Sequence, residues 1–183
     1  MKAIIFIIVI VFHSISMAHA QSTYRTSRGH VIIVGEIGNQ RVIAEGDGLS
    51  ILLDYTTKAV SGRLNLKTMN TGLGSLDERI SKQEDEATLV SFAGVIPVDD
   101  FITQPHLPVS FELPLTVTMG SKTFKVILTG TLRHFDGGNS IACILSASGE
   151  VSTEKTGLKE SFPELSEVVK IEFNQVVLRK KEL

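Results

Sequence analysis

The stretch Val109-Ser-Phe-Glu-Leu-Pro-Leu-Thr-Val-Thr-Met119, the dipeptide Gly120-Ser121 and the run Lys122-Thr-Phe-Lys-Val-Ile-Leu-Thr-Gly-Thr-Leu-Arg-His134 together decide the fold class. Val109, Phe111, Leu113, Leu115, Val117 and Met119 alternate with Ser110, Glu112, Pro114, Thr116 and Thr118, the period of two that marks a strand with one buried face. Gly120-Ser121 is a two-residue loop with glycine first, the chemistry of a type II′ hairpin turn, because glycine accepts the positive φ required there. That turn sets Met119 opposite Lys122, Val117 opposite Phe124, Leu115 opposite Val126, Leu113 opposite Leu128 and Phe111 opposite Gly130. The other face collects Thr116, Thr118, Thr123, Lys125, Thr129, Thr131 and Arg133, so turn chemistry and hydrophobic pattern specify one register. Pro114 on the polar face predicts an edge or a bulge, since proline lacks the ladder's N–H.

Further short segments carry the same signature. His30 to Gly35, Gly48 to Tyr55, Val60 to Met69, Thr88 to Ile96, Ser140 to Ser148 and Glu167 to Arg179 bring the set to about eight strands. In the last, Val169, Ile171, Phe173 and Val177 are expected on one face. Asp136-Gly137-Gly138-Asn139 reads as a turn. Ser75-Leu76-Asp77-Glu78 has a capping-box pattern and opens one short acidic helical segment through Glu86, with Leu76 and Ile80 on one side. Many short strands with close turn signals and one short helix predict an all-β antiparallel sandwich or barrel. Neither an internal repeat nor a composition break marks a second domain.

The chain begins Met1-Lys2, runs apolar from Ala3 to Phe12 and reaches Ala18-His19-Ala20. This is the pattern of a cleaved signal peptide over residues 1–20, with the cut between Ala20 and Gln21 and the mature domain over residues 21–183. The apolar run is about half of the roughly 20 residues a membrane-spanning helix needs. A periplasmic or secreted location is therefore expected. Cys143 is the only cysteine, so no intramolecular disulfide can form in that oxidising space; it reads as a small buried hydrophobe. Stability has to come from burial.

The 183 residues are 43% hydrophobic and 21% charged, with a formal net charge of -2. That balance, with Arg179-Lys180-Lys181 as the only basic run, argues against nucleic acid as a partner, because phosphate binding needs clustered positive charge. Absence of Trp and an aromatic content of 6% leave few stacking platforms. Catalytic and metal signatures are equally sparse. His30, His106 and His134 lie far apart without metal-ligand spacing, so no metal site is expected. His134-Phe135-Asp136 reads as a strand end. Gly35-Glu36-Ile37-Gly38 lacks the helix that would follow a phosphate loop, and Asp77, Glu78, Glu84, Asp85 and Glu86 read as a solvated face. No catalytic residues are assigned, and the chain is not read as an enzyme.

What remains is the apolar face of the hairpin, with Gly130 leaving space opposite Phe111. Either that face is packed solid, or it lines a lumen that holds a lipid. The order of features resembles the YceI-like family of secreted β-barrels that bind polyisoprenoid or related lipids. The resemblance is carried by the strand Val60-Ser-Gly-Arg-Leu-Asn-Leu-Lys-Thr68, the helix around Leu76-Asp-Glu-Arg-Ile80, the strand Val90-Ser-Phe-Ala-Gly-Val-Ile96 and the strand Lys125-Val-Ile-Leu-Thr-Gly-Thr-Leu132 with its central glycine. It covers roughly Gly29 to Val177. Residues Ser81 to Thr88 depart from it, having neither the aromatics nor the proline common there.

The resemblance implies an eight-stranded, lipocalin-like barrel whose lumen, lined by Phe92, Phe111, Leu113, Leu115, Val117, Phe124, Val126 and Leu128, holds an isoprenoid or acyl chain. No cofactor is expected beyond a bound isoprenoid lipid or quinone. The expected partner is an apolar lipid, with a transient membrane contact and a homodimer left open. The competing expectation is a non-enzymatic structural or interaction module of the bacterial envelope with a solid core. A hydrolase would need His106 or His134 to meet a serine or carboxylate.

Overall fold

The computed structural model describes residues 23–98, 106–136 and 141–180. The expected signal peptide, the start of the mature chain and the turn at 137–139 lie outside the described residues.

Eight strands run in chain order: β1 (Thr23–Ile37), β2 (Gln40–Asp54), β3 (Ala59–Asn65), β4 (Leu89–Val95), β5 (Val109–Met119), β6 (Lys122–Asp136), β7 (Ile141–Ser152) and β8 (Val168–Lys180). Each pairs antiparallel with its neighbour, and β8 returns to β1 through pairs such as Ile33 with Ile171, closing the barrel. Closure satisfies the outermost backbone groups that an open sheet would leave unpaired.

The β5–β6 hairpin has the register expected from its turn: Met119 faces Lys122, Val117 faces Phe124, Leu113 faces Leu128 and Phe111 faces Gly130. Gly120 has φ +57 and Ser121 is not among the positive-φ residues, which selects II′ over I′. Pro114 pairs with Ile127 without a bulge. It stands one residue beyond Leu115, where the β4–β5 ladder ends, so its missing N–H breaks no bond to β4.

Two expectations are corrected at β8 and β3. Val177 points outward, because Asn174 and Gln175 together oppose Ser146 in a bulge between the pairs Leu145–Val176 and Ala147–Phe173. Gln175 takes φ +52 there, and its N–H donates to Ser146 Oγ at 2.8 Å. The extra residue reverses the alternation, so Val176 and Leu178 are buried instead. Strand β3 stops at Asn65, whose side chain accepts from Lys67 N and starts a 3-10 turn over Leu66–Thr68.

Among the described residues four short helices replace the single one expected: α1 (Gly74–Ser81), α2 (Asp85–Thr88), α3 (Thr153–Thr156) and α4 (Leu158–Ser161). No side chain caps α1, which begins after Leu73 rather than at Ser75; Asp77 instead accepts from Thr71 N and Oγ1 at 2.9 and 2.7 Å. Leu76 is buried and Ile80 packs beside it. All four helices sit at the end of the barrel where β3 and β7 finish and β4 and β8 begin.

Candidate functional site

The inward residues of the eight strands fill the two halves of the barrel differently. At the end away from the helices, Leu53, Ile96, Leu132, Leu145 and Leu178 are inaccessible to solvent and form a solid plug. Tyr24, Tyr55, His134 and Cys143 join them. Tyr55 Oη is 2.7 Å from His134 Nδ1, and the two tyrosine rings lie 4.7 Å apart. Burial, together with the charge of His106, pushes His134 down to about 4, so it is neutral near pH 7. Burial pushes the Cys143 thiol up to about 12 against the lowering effect of its hydrogen bond with Tyr55, making it the inert hydrophobe expected.

His106 and His134, 28 positions apart, do meet here, with ring centroids 5.4 Å apart. His106 donates from Nδ1 to the Leu107 carbonyl at 2.6 Å. Neither Nε2 atom has a hydrogen-bond partner among the described residues, and no serine or carboxylate of the described residues bonds either ring. Among the described residues no group of three or more His, Cys, Asp or Glu side chains could hold a metal ion.

Toward the helices the barrel is hollow. One chamber of about 100 Å³ lies among inward residues of the strands, and a second of about 110 Å³ lies under the helices. Ile33, Leu66, Met119, Leu158 and Val169 line both, so the chambers adjoin. The lining of the first is apolar except for Thr156, whose hydroxyl is bonded to the Thr153 carbonyl at 2.9 Å.

Of the eight residues expected to line a lumen, Phe92, Leu115, Val117, Phe124, Val126 and Leu128 line this chamber. Phe111 and Leu113 are buried deeper, among the packed side chains, and are not part of the lining. The space expected opposite Phe111 is filled by Phe111 itself: a Cβ on Gly130 would stand 2.7 Å from its Cε2. Gly62 leaves the same kind of room for Phe92, whose Cζ would lie 2.2 Å from an added Cβ.

The cover over the mouth was not among the features expected from the sequence. Leu76 and Ile80 of α1 meet Leu158, Phe162 and Leu165 over the mouth. Arg79 pairs with Glu164, donates to the Ser161 carbonyl at 3.1 Å and stacks over the Phe162 ring at 4.9 Å. Lys122 at the hairpin turn pairs with Glu160. The spacing of Leu158, Phe162 and Leu165, four and then three residues, is a helical period that could have revealed this lid.

No protein-family profile matches the chain, and no curated protein sequence does. Solved structures do. A polyisoprenoid binding domain from Saccharophagus degradans, implicated in plant cell wall breakdown, superposes with a TM-score of 0.71 at 10% identity, covering 88% of this chain and 99% of that one. The Campylobacter jejuni YceI protein gives 0.59 at 15% identity over 76% and 85% of the two chains. Burkholderia cenocepacia BcnA gives 0.56 at 10% over 84% and 96%. The described barrel, closed in simple strand order around an apolar lumen with helices at one mouth, therefore has the fold of the YceI-like and polyisoprenoid-binding barrels.

Proposed function

We propose that this chain is a non-enzymatic carrier that holds an isoprenoid or acyl chain in the hollow half of its barrel and shields it from water in the periplasm or outside the cell. One observation carries the reading: the strand-lined chamber is apolar save for one internally bonded hydroxyl and continues beneath a hydrophobic lid. Burying alkyl chain there is favourable by about 0.8 kcal/mol per methylene. The fold shared with a domain described as polyisoprenoid binding supports the same assignment. The secretory pattern of residues 1–20 supports the compartment.

Mass spectrometry of organic extracts from protein purified natively tests it, against an unrelated protein handled identically. A long-lived apolar ligand near one equivalent is expected. Phe124→Asp, which puts a charge on the chamber wall, should lower that yield at least tenfold while leaving the barrel folded by circular dichroism. A clean wild-type extract would overturn the carrier reading in favour of a solid interaction module, and a folded Phe124→Asp protein with full occupancy would overturn the placement of the ligand in this chamber.

A further inference from the structure

Resting on the carrier reading, we infer that the ligand is a single short apolar chain of about ten carbons, because this barrel is blind and its floor is built from its own side chains. The floor is placed by where the lining stops. On β6 the last lining residue is Leu128; on β5 it is Leu115, and on β8 it is Phe173. Two residues beyond Leu115, Leu113 stands directly across from Leu128, is buried and takes no part in the lining; the plug of Leu132, Leu145 and Leu178 follows.

The glycines that could have deepened the lumen do not. Besides Phe111 on Gly130 and Phe92 on Gly62, a Cβ on Gly149 would stand 2.6 Å from Leu128 Cδ2, and one on Gly94 would stand 2.8 Å from Leu115 Cδ2. Each vacancy is occupied by a neighbouring side chain, and at Gly94 the Pro114 carbonyl oxygen, 2.3 Å from the added Cβ, stands closer still. Beneath them the Tyr55–His134 hydrogen bond at 2.7 Å ties the plug across the barrel, so lengthening the lumen would expose two buried polar groups to an apolar ligand.

Two measures of capacity agree. Along β1 the lining runs from Val31 to Ile37; at about 3.3 Å per residue and a strand tilt of about 40° this is roughly 15 Å of depth. With C–C bonds of about 1.5 Å in a zigzag, an extended chain advances roughly 1.25 Å per carbon, so about twelve carbons reach from floor to lid. By volume, the chambers of about 110 and 100 Å³ are each smaller than the roughly 150 Å³ apolar cavity that takes one six-carbon benzene ring. Together they hold fewer than about a dozen carbons.

The test is isothermal titration of the lipid-stripped full chain with hexanoate, octanoate, decanoate, dodecanoate and hexadecanoate, and with geraniol, farnesol and geranylgeraniol. Affinity should rise about fourfold per methylene up to decanoate and level off or fall beyond it, with geraniol binding better than geranylgeraniol. Leu113→Ala, which opens the floor across from Leu128, should move the break to longer chains; where that variant fails to fold, Leu113→Val moves it by a smaller step. A rise continuing through hexadecanoate, or an unchanged break in a folded Leu113 variant, overturns the length limit and leaves the carrier reading standing. No binding by any member, together with a clean native extract, overturns both.

Discussion

At the residue scale, His134 illustrates what enclosure does to a titratable group. An exposed histidine near 6.5 is half charged in mildly acidic water, whereas this one is held to about 4 by burial and by His106. The unfolded chain therefore binds a proton that the folded chain refuses throughout the window between those two values. Stability is fully present above the upper value and is lost as pH falls toward the lower one. At about 1.36 kcal/mol per pKa unit the loss is on the order of 3 kcal/mol. Urea titrations across this window should show a shallower loss for His134→Phe than for wild type, since the variant has no proton to take up; parallel profiles would contradict the assignment. Neither the pairing of His134 with Tyr55 nor its approach to His106 could be read from residues 79 and 28 positions apart, because no local period links them.

At the scale of elements, the β5–β6 hairpin was legible almost completely. Turn residue, alternation and cross-strand pairing are all local, and they agree on one register. Its inner face also encodes a contact between elements that patterning alone leaves ambiguous: a glycine opposite an aromatic can mean empty space or a seat. Here it is a seat, since an added Cβ on Gly130 would lie 2.7 Å from Phe111 Cε2. Gly130→Ala should therefore cost about 1–3 kcal/mol by overpacking, and adding Phe111→Leu should recover part of that loss. Chemical denaturation of both singles and the double gives the coupling; simple additivity would show that the ring does not rest there. Strand β8 was misread for the opposite reason. Its alternation is broken by the bulge at Gln175, and only the partner strand reveals that two residues face Ser146.

For the whole molecule, a chamber hollowed out of one half of the barrel weakens the core where ligand contacts are missing. Filling it should stabilise the folded state by linkage, because the unfolded chain has no lumen to bind with. Decanoate at about 100 times its dissociation constant should add about 2.7 kcal/mol, which for a chain of this size raises the midpoint by roughly 5–10 °C. Differential scanning calorimetry of stripped and loaded protein measures this directly. A midpoint unchanged at saturation would mean that the unfolded chain binds the ligand as tightly as the folded one, which a lumen built only by folding forbids.

Antiparallel strands with one apolar face, joined by short turns, can be recognised from their own residues, and they have few ways to bury that face. The sequence by itself therefore determined most of the strands, the hairpin register and a choice between sandwich and barrel, while the family resemblance supplied the barrel and six of the residues that line its cavity. Whether the barrel is hollow, and how far, depends on how side chains distant in sequence share one enclosed volume. Phe111 turning onto Gly130, the Tyr55–His134 plug and the lid of Leu76, Leu158 and Phe162 divide the interior into a solid half and an open one. That division was decided only by the tertiary structure, because packing is a property of the closed volume and not of any single strand.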